Sequence, residues 1–394
     1  MKWIKKPLRK LALMGYVILT KILPLSKDVV VFESNVGRNY SGNVRAIYEY
    51  MIEQGLDKKY RFVWSIEDVK TKIPGRVSIV RRTRLKYLYY MSIAKVWVSD
   101  SRMPKWLVKR EGVTYIQTWH GTPLKKLALD MDVLSMGGST DVEKYRENFK
   151  KNSHTWDYLI SQNPFSTETF RRCFDFHKDM LEIGYPRNDV LFKKNNAKDI
   201  DELKTRLKLP KDKKIILYAP TWRDDQFVAK SRYKFVSDMD YDVMRDALSD
   251  EYVMIVKYHY LVEDKVDWSK YKGFIYEFNQ HADIADLYLV ADMLITDYSS
   301  VMFDYSLLKR PLFFFAYDME NYKNNLRGFY FDFLATAPGP IAQDTKSLAE
   351  AIRNYKDEDW QDKYKAFSDK YNSCDDGHAS KKVSELIEAK LNAK

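Results

Sequence analysis

The sequence is poor in cysteine, glycine, proline and histidine, and each shortage narrows the chemistry open to it. Only Cys173 and Cys374 occur in 394 residues. Two distant cysteines form neither a metal-ligand pattern nor a disulfide framework, and they suit a reducing compartment. The 14 glycines and 12 prolines form no low-complexity stretch, so wholesale disorder is excluded. No solenoid-type period recurs. Six histidines include no His-Glu-x-x-His pair, and no Walker loop is present. No apolar run reaches the roughly 20 residues that cross a bilayer.

What is abundant is apolar and basic. Hydrophobic residues make up 45% and aromatics 15% of the chain, enough for a sizeable core, and the length suits two domains. The 66 basic residues against 55 acidic ones give a net charge of +11, which attracts phosphates, nucleic acid or anionic lipid. The first segment concentrates both features. Lys2, Lys5, Lys6, Arg9, Lys10 and Lys21 flank the apolar stretch Leu11–Thr20. That stretch is too short to span, and Lys21 with Ile22, Leu23 and Pro24 stands where a signal peptide would have small residues. The pattern predicts an interfacial helix over residues 1–27. Trp3, Ile4, Leu8, Leu11 and Ile18 would enter lipid, and Lys5, Lys6, Arg9 and Lys10 would meet anionic headgroups. The competing reading is a first helix packed on the protein's own core.

Short apolar runs then alternate with amphipathic ones. Expected strands are Val29–Glu33, Arg61–Ser65, Val77–Val80, Val96–Ser99, Thr114–Trp119 and Tyr158–Ser161, with helices such as Val44–Glu53 and Arg84–Ser92 between them. Continuous Val/Ile runs fit strands buried on both faces, and strand–helix alternation implies a parallel sheet. Gly184, Pro186 and the polar stretch Lys193–Lys204 interrupt the pattern. It restarts with strands Lys214–Ala219, Val253–Lys257, Phe274–Glu277, Met293–Thr296 and Leu312–Phe315, and helices Tyr241–Leu248, Ile284–Val290, Val301–Leu308 and Leu348–Tyr355. The expected organisation is α/β: one domain over 28–190, a second over 191–365 and a helical tail over 366–394. Ligand would bind in a cleft at the carboxyl ends of both sheets.

Four segments carry candidate chemistry. Gln117-Thr-Trp-His-Gly-Thr-Pro-Leu-Lys-Lys126 follows a strand. Its His120 is a candidate general base, flanked by Trp119, Gly121, Thr122 and Pro123; the competing role is a capping histidine. Ile295-Thr-Asp-Tyr-Ser-Ser300 joins a strand to a helix. Thr296, Asp297, Ser299 and Ser300 there can bind phosphate at a helix start or simply cap it. Val256-Lys-Tyr-His-Tyr260 places Lys257 and His259 at another strand end, and Leu217-Tyr-Ala-Pro-Thr-Trp-Arg223 does the same for Thr221, Trp222 and Arg223, although a surface turn would look alike. Arg187 and Arg327 are further phosphate candidates. His154, His177, His281 and His378 lack a partner motif. Asp224 and Asp225 read as a surface turn rather than a metal pair.

Taken together, TWHGTPLKK, LYAPTWR, ITDYSS, FFFAYD and DDGHAS resemble the CDP-glycerol glycerophosphotransferases of wall teichoic acid synthesis, over roughly residues 28–385. The resemblance implies two Rossmann-like domains of the glycosyltransferase B type and a membrane-associating N-terminus. It implies a peripheral enzyme on the cytoplasmic face of the membrane. It also implies transfer of glycerol phosphate from CDP-glycerol to a hydroxyl of an undecaprenyl-diphosphate-linked disaccharide or glycerol-phosphate acceptor, releasing CMP. His120 matches the family's essential histidine and proposed base, and His259 its second. Ser299 and Ser300 match the donor-phosphate segment; Arg187, Thr221 and Arg223 match donor-contacting positions. Tyr260 stands where the family usually has proline, which loosens the placement of His259. The chain lacks the long N-terminal region of larger polymerases, which favours a primase or short-chain extender.

The expected chemistry is in-line displacement at the β-phosphorus with no cofactor. A Mg²⁺ requirement and a homo-oligomeric state stay open. CDP-ribitol is the nearest rival donor, and a nucleotide-sugar glycosyltransferase the more distant one. The basic residues form no recognised nucleic-acid module, so no nucleic acid is expected as a partner.

Overall fold

The computed structural model describes residues 6–132, 141–221, 227–229, 232–233, 238–258, 266–278, 282–319 and 328–393. Two parallel sheets organise the chain. The first has seven strands: β1 Ser26–Glu33, β2 Arg61–Ser65, β3 Val77–Val80, β4 Ala94–Ser99, β5 Thr114–Gln117, β6 Tyr158–Ser161 and β7 Asp179–Glu182, in the order β3-β2-β1-β4-β5-β6-β7. The second takes β8 Lys214–Tyr218, β11 Tyr252–Val256, β12 Ile275–Glu277, β13 Met293–Thr296, β14 Leu312–Phe315 and β15 Ile341–Ala342, in the order β12-β11-β8-β13-β14-β15. A two-stranded ribbon, β9 Phe227–Ala229 and β10 Arg232–Tyr233, stands apart.

Renumbered from its own first strand, each sheet carries the 3-2-1-4-5-6 order of dinucleotide-binding folds. Strand order reverses between β1 and β4 in one and between β8 and β13 in the other. Loops at the carboxyl ends of those strands splay apart and leave room for a ligand. Central strands are buried on both faces, which explains their unbroken apolar runs: Val29 to Phe32 and Leu294 to Ile295 are each 0% exposed.

Contacts divide the chain into two units. The first comprises Met1–His120, Glu147–Asp189 and Cys374–Lys394; the second comprises Gly121–Arg146 and Val190–Ser373. One change of unit falls after Asp189, and two segments belong elsewhere than their position in the sequence suggests. Residues 121–146 join the second unit because Lys126 N–H donates to the Gly328 carbonyl (2.9 Å) and Tyr330 N–H to that of Leu124 (2.9 Å). The end of the expected tail joins the first unit. Helix Ala379–Asn392 buries Val383, Ile387 and Leu391 in the core around Phe32, Tyr48 and Trp64, each worth about 1.5–3 kcal/mol. Asp189 accepts from the Ala379 (3.1 Å) and Ser380 (2.7 Å) N–H groups at that helix's start. Gly184 has φ +80°, and a Cβ there would sit 2.8 Å from the Asp375 Cα, so only glycine lets this return segment close.

Helix α1 (Lys6–Ile22) has two unlike faces. Tyr16 is buried, meets Trp106 edge-on at 6.1 Å and donates to the Val108 carbonyl (3.0 Å). Leu11, Met14, Ile18 and Ile22 are 54–67% exposed. One face of the helix therefore packs on the rest of the first unit, and an apolar face is left exposed. Trp3, Ile4 and Lys5 lie outside the described residues, as do the side chains of Lys6, Leu8 and Arg9. No described helix is long and apolar enough to cross a membrane.

Candidate active site

In the first unit the loop after β5 presents His120. The strand ends at Gln117, two residues sooner than its apolar run suggested, because the chain turns sharply. Gln117 Oε1 accepts the Trp119 N–H (3.0 Å), and Trp119 takes the left-handed region at φ +51°, unusual for a bulky side chain. Trp119 then stacks on the His120 ring, with centroids 4.5 Å apart, and packs over Phe174 at 4.6 Å. The indole thus forms a wall behind the imidazole.

The ring's other contact sets its tautomer. His120 Nδ1 lies 3.2 Å from the Asp100 carbonyl, just past β4. A carbonyl only accepts, so Nδ1 carries the hydrogen and Nε2 keeps its lone pair. Arg187, from the turn Pro186–Asn188, donates through Nη1 to the His120 carbonyl (2.7 Å). His120 keeps an exposed edge, yet protein atoms crowd the rest of the ring. That desolvation lowers its pKa to about 4; the Asp100 carbonyl opposes the shift and the Arg187 charge adds to it. At pH 7 the imidazole is therefore neutral, the state that a base needs.

Behind this loop the β1 and β4 ends are unusually polar for a buried region. Asp100 is 2% exposed; it accepts from the Asn35 N–H (2.8 Å) and the Ser101 hydroxyl (2.6 Å). Burial pushes its pKa up to about 6, opposed by those hydrogen bonds and by Arg187. Asn35, Val36 and Gly37 are left-handed in succession, at φ 45°, 61° and 77°. Buried Glu33 pairs with Arg82 (2.9 Å) and accepts from Ser65 (2.7 Å).

In the second unit the predicted residues gather at the β8 and β13 ends. Thr221 N–H donates to Asp297 Oδ1 (2.9 Å), spanning the point where strand order reverses. The Thr296 hydroxyl donates to the Ala219 carbonyl (2.7 Å). Asp297 is 1% exposed and therefore braces the loop rather than meeting solvent. Ser299 and Ser300 are part-exposed. The Ser299 hydroxyl accepts weakly from Val301 N–H (3.4 Å), and Ser300 makes no side-chain cap bond. The helix they open is shorter than expected, Val301–Tyr305 followed by a 3₁₀ turn over Ser306–Leu308. Lys257, after β11, donates to the Phe278 carbonyl (2.8 Å), and burial lowers its pKa. Thr122 is 2% exposed and belongs, with Gly121 and Pro123, to the second unit.

The structure thus brings Trp119, His120 and Arg187 together in one unit, and Thr221, Lys257, Thr296, Asp297, Ser299 and Ser300 around one sheet edge in the other. Trp222, Arg223, His259, Arg327, Asp224, Asp225 and His281 lie outside the described residues. A cavity of about 130 Å³ lined by Trp97, Lys105, Lys109, Lys151 and Asn152 contains none of the candidate residues. Sequence reasoning missed Asn35 and Asp100, at the ends of β1 and β4, and Asn43, near the start of the helix Gly42–Glu53, all of which bear on the His120 loop. No group of three or more His, Cys, Asp or Glu among the described residues is arranged to hold a metal.

Comparisons with known proteins converge. The family model for CDP-glycerol:poly(glycerophosphate) glycerophosphotransferase matches residues 16–389. A teichoic acid poly(glycerol phosphate) polymerase of Bacillus spizizenii is 47% identical over 93% of this chain and 93% of its own. A teichoic acid glycerol-phosphate transferase of Staphylococcus aureus is 41% identical over 92% and 93%. A solved structure of a variant of the wall teichoic acid polymerase TagF, soaked with CDPG, superposes with a TM-score of 0.90 at 43% identity, covering 97% of this chain and 94% of that one. The chain spans about half the length of two further curated polymerases it matches, 48% and 50%. Relatives named polymerase and transferase both share its length, so length does not favour a primase or short-chain extender.

Proposed function

The chain belongs to the family of CDP-glycerol:poly(glycerophosphate) glycerophosphotransferases, and on that footing we propose that it transfers glycerol phosphate from CDP-glycerol to a hydroxyl of an undecaprenyl-diphosphate-linked acceptor. CMP is released. The observation that carries the mechanism is the Nδ1 contact of His120 with the Asp100 carbonyl, which leaves Nε2 as a free base.

The acceptor oxygen attacks the β-phosphorus, the one bearing glycerol, as its proton passes to Nε2. The new P–O bond forms while the bond from that phosphorus to the bridging oxygen breaks, and the electron pair leaves with CMP. Such transfer needs positioning and charge stabilisation more than covalent help. Ser299 and Ser300 supply hydroxyl donors for the diphosphate, and Lys257 and Arg187 supply positive charge. Thr221, and the outlying candidates His259, Trp222, Arg223 and Arg327, belong to the same donor role. The proposal includes the glycosyltransferase B type arrangement, because donor and acceptor must reach both sheet edges in one complex. It assigns no step to a metal.

It also seats the protein peripherally on the cytoplasmic face of the membrane, through the exposed apolar face of α1 with Lys10 and Lys21 beside it. The test incubates CDP-glycerol with a lipid-linked acceptor and follows CMP release and product mass. Wild type should add glycerol-phosphate units, and His120→Ala should lose roughly 10²–10⁴-fold in turnover. Near-wild-type turnover by folded His120→Ala would remove the base from the mechanism.

A further inference from the structure

The loop that presents His120 is held by a residue from a different element. Asn43 lies near the start of α2 (Gly42–Glu53) and is 1% exposed. Its Nδ2 donates to the carbonyls of Thr118 (3.3 Å) and Trp119 (3.1 Å). Its Oδ1 accepts from the Arg187 N–H (3.2 Å). Arg187 closes the circuit through its guanidinium, which donates to the His120 carbonyl (2.7 Å). One buried amide therefore ties together the backbones of the two residues proposed to act on the substrate.

The placement of the bonds matters. The Trp119 carbonyl and the His120 nitrogen share one planar peptide unit. Fixing that oxygen fixes the plane, and with it the direction in which the His120 side chain leaves the backbone. With the bond to the Thr118 carbonyl, Asn43 holds the peptides on both sides of Trp119 and so restrains that residue at φ +51°, a conformation that persists only where the surroundings over-determine it. A second arm of the same β1–α2 connection acts on the ring: Asn35 N–H holds the Asp100 carboxylate (2.8 Å), and the Asp100 carbonyl meets Nδ1.

We propose that Asn43 is a positioning residue for the transfer: it locks the Trp119–His120 peptide and the Arg187 backbone into one frame, so that base and guanidinium meet the substrate at a fixed separation. This rests on the reading of His120 as the base. It assigns Asn43 a role that its burial alone, which would suit a plain buttress, does not require.

The test uses the full chain with Asn43→Ala. It measures CMP release from CDP-glycerol with a lipid-linked acceptor, and the proton NMR titration of the His120 ring, assigned by its absence in His120→Ala. The expected result is a kcat lower by roughly 10²-fold, the loss that ångström-scale misplacement produces, with KM for CDP-glycerol within about twofold of wild type. The ring should titrate closer to the ordinary value near 6.5 as it leaves its crowded position. Asn43→Asp is isosteric, keeps the acceptor for Arg187 and sets an oxygen against two carbonyls; it should lose kcat similarly, and it serves if the alanine variant fails to fold. A lowered melting temperature with unchanged kcat and unchanged titration overturns the proposal. So does a loss confined to KM, which would put Asn43 in substrate binding. The titration is read without substrate. If His120 is not the base, His120→Ala keeps its turnover while Asn43→Ala still moves the titration, so the two failures are distinguishable.

Discussion

If His120 is the base, as proposed, its pKa pulled down to about 4 has a consequence that separates free enzyme from complex. In the free enzyme His120 is crowded and faces a guanidinium, so the imidazolium is disfavoured. CDP-glycerol brings a diphosphate carrying two negative charges. At an effective dielectric near 20, one unit charge about 6 Å away contributes on the order of 3 kcal/mol, equivalent to roughly two pH units before screening. The sign is fixed: negative charge favours the imidazolium, so donor binding raises the His120 pKa toward neutrality. A weak base at rest becomes a competent one when its substrate arrives.

The assay is the pH dependence of CMP release between about pH 4.5 and 8. The acid limb of kcat/KM reports the free enzyme and that of kcat reports the complex. We expect the kcat/KM limb well below the ordinary histidine range and the kcat limb higher by roughly one to two pH units. At pH 5 a base of ordinary pKa would be only about 3% deprotonated, whereas one with pKa near 4 would be about 90% so. Asp100, with its pKa raised to about 6, titrates nearby, and Asp100→Asn removes that contribution while leaving its backbone carbonyl in place. Stability needs watching too. The folded-state pKa of His120 lies below its unfolded value, so its contribution is present above about pH 6.5 and is lost as pH falls toward 4. Melting curves at each pH separate that loss from catalysis. Coincident limbs, or a kcat/KM limb at 6.5, would refute the reasoning.

Two further perturbations test the scaffold and the surface. Arg82→Met leaves Glu33 buried without its partner. Burial raises the Glu33 pKa, but the 2.9 Å contact and the raised Arg82 pKa argue for a charged pair. Denaturant unfolding should show a loss on the order of 3–5 kcal/mol, and a change below about 1 kcal/mol would mean that Glu33 is neutral in the native state. Leu11→Glu with Ile18→Glu replaces side chains that are 64% and 54% exposed. The fold should keep its melting temperature while flotation with anionic vesicles falls by at least roughly tenfold; unchanged flotation would remove α1 from the membrane.

Central strands were legible because burial on both faces leaves no room for polar residues, and β1, β2, β4, β6, β11, β13 and β14 each show in the sequence as an apolar run. Edge strands divided: β3 and β12 were legible, β7 and β15 were not. β7 reads Asp-Met-Leu-Glu, with both ends exposed, and β15 has two residues; a strand open to solvent on one side loses the pattern that identifies it. The return of the C-terminal helix failed for another reason. Val383 and Ile387 mark its apolar face, but nothing local to them names Phe32 or Tyr48 as the core they enter. That partnership depends on Gly184, whose missing Cβ makes room for Asp375 nearly two hundred residues later.

The site divides the same way. His120 was legible because imidazole chemistry is rare and its flanking Gly121 and Pro123 signal a turn. Its tautomer was not, since the group that sets it is a backbone oxygen, and a backbone carbonyl leaves no trace in the residue type at position 100. Asn43 fails differently: Ser-Gly-Asn at a helix start is ordinary capping sequence, yet the Ser41 side chain makes no cap bond there and the Asn43 amide reaches across to the loop after β5 and to Arg187. A residue type suited to two roles is resolved only by where its hydrogen bonds go. Hence the parts that hold His120 in place, which need only an amide or a carbonyl at the right point, escape a reading that singles out His120 itself.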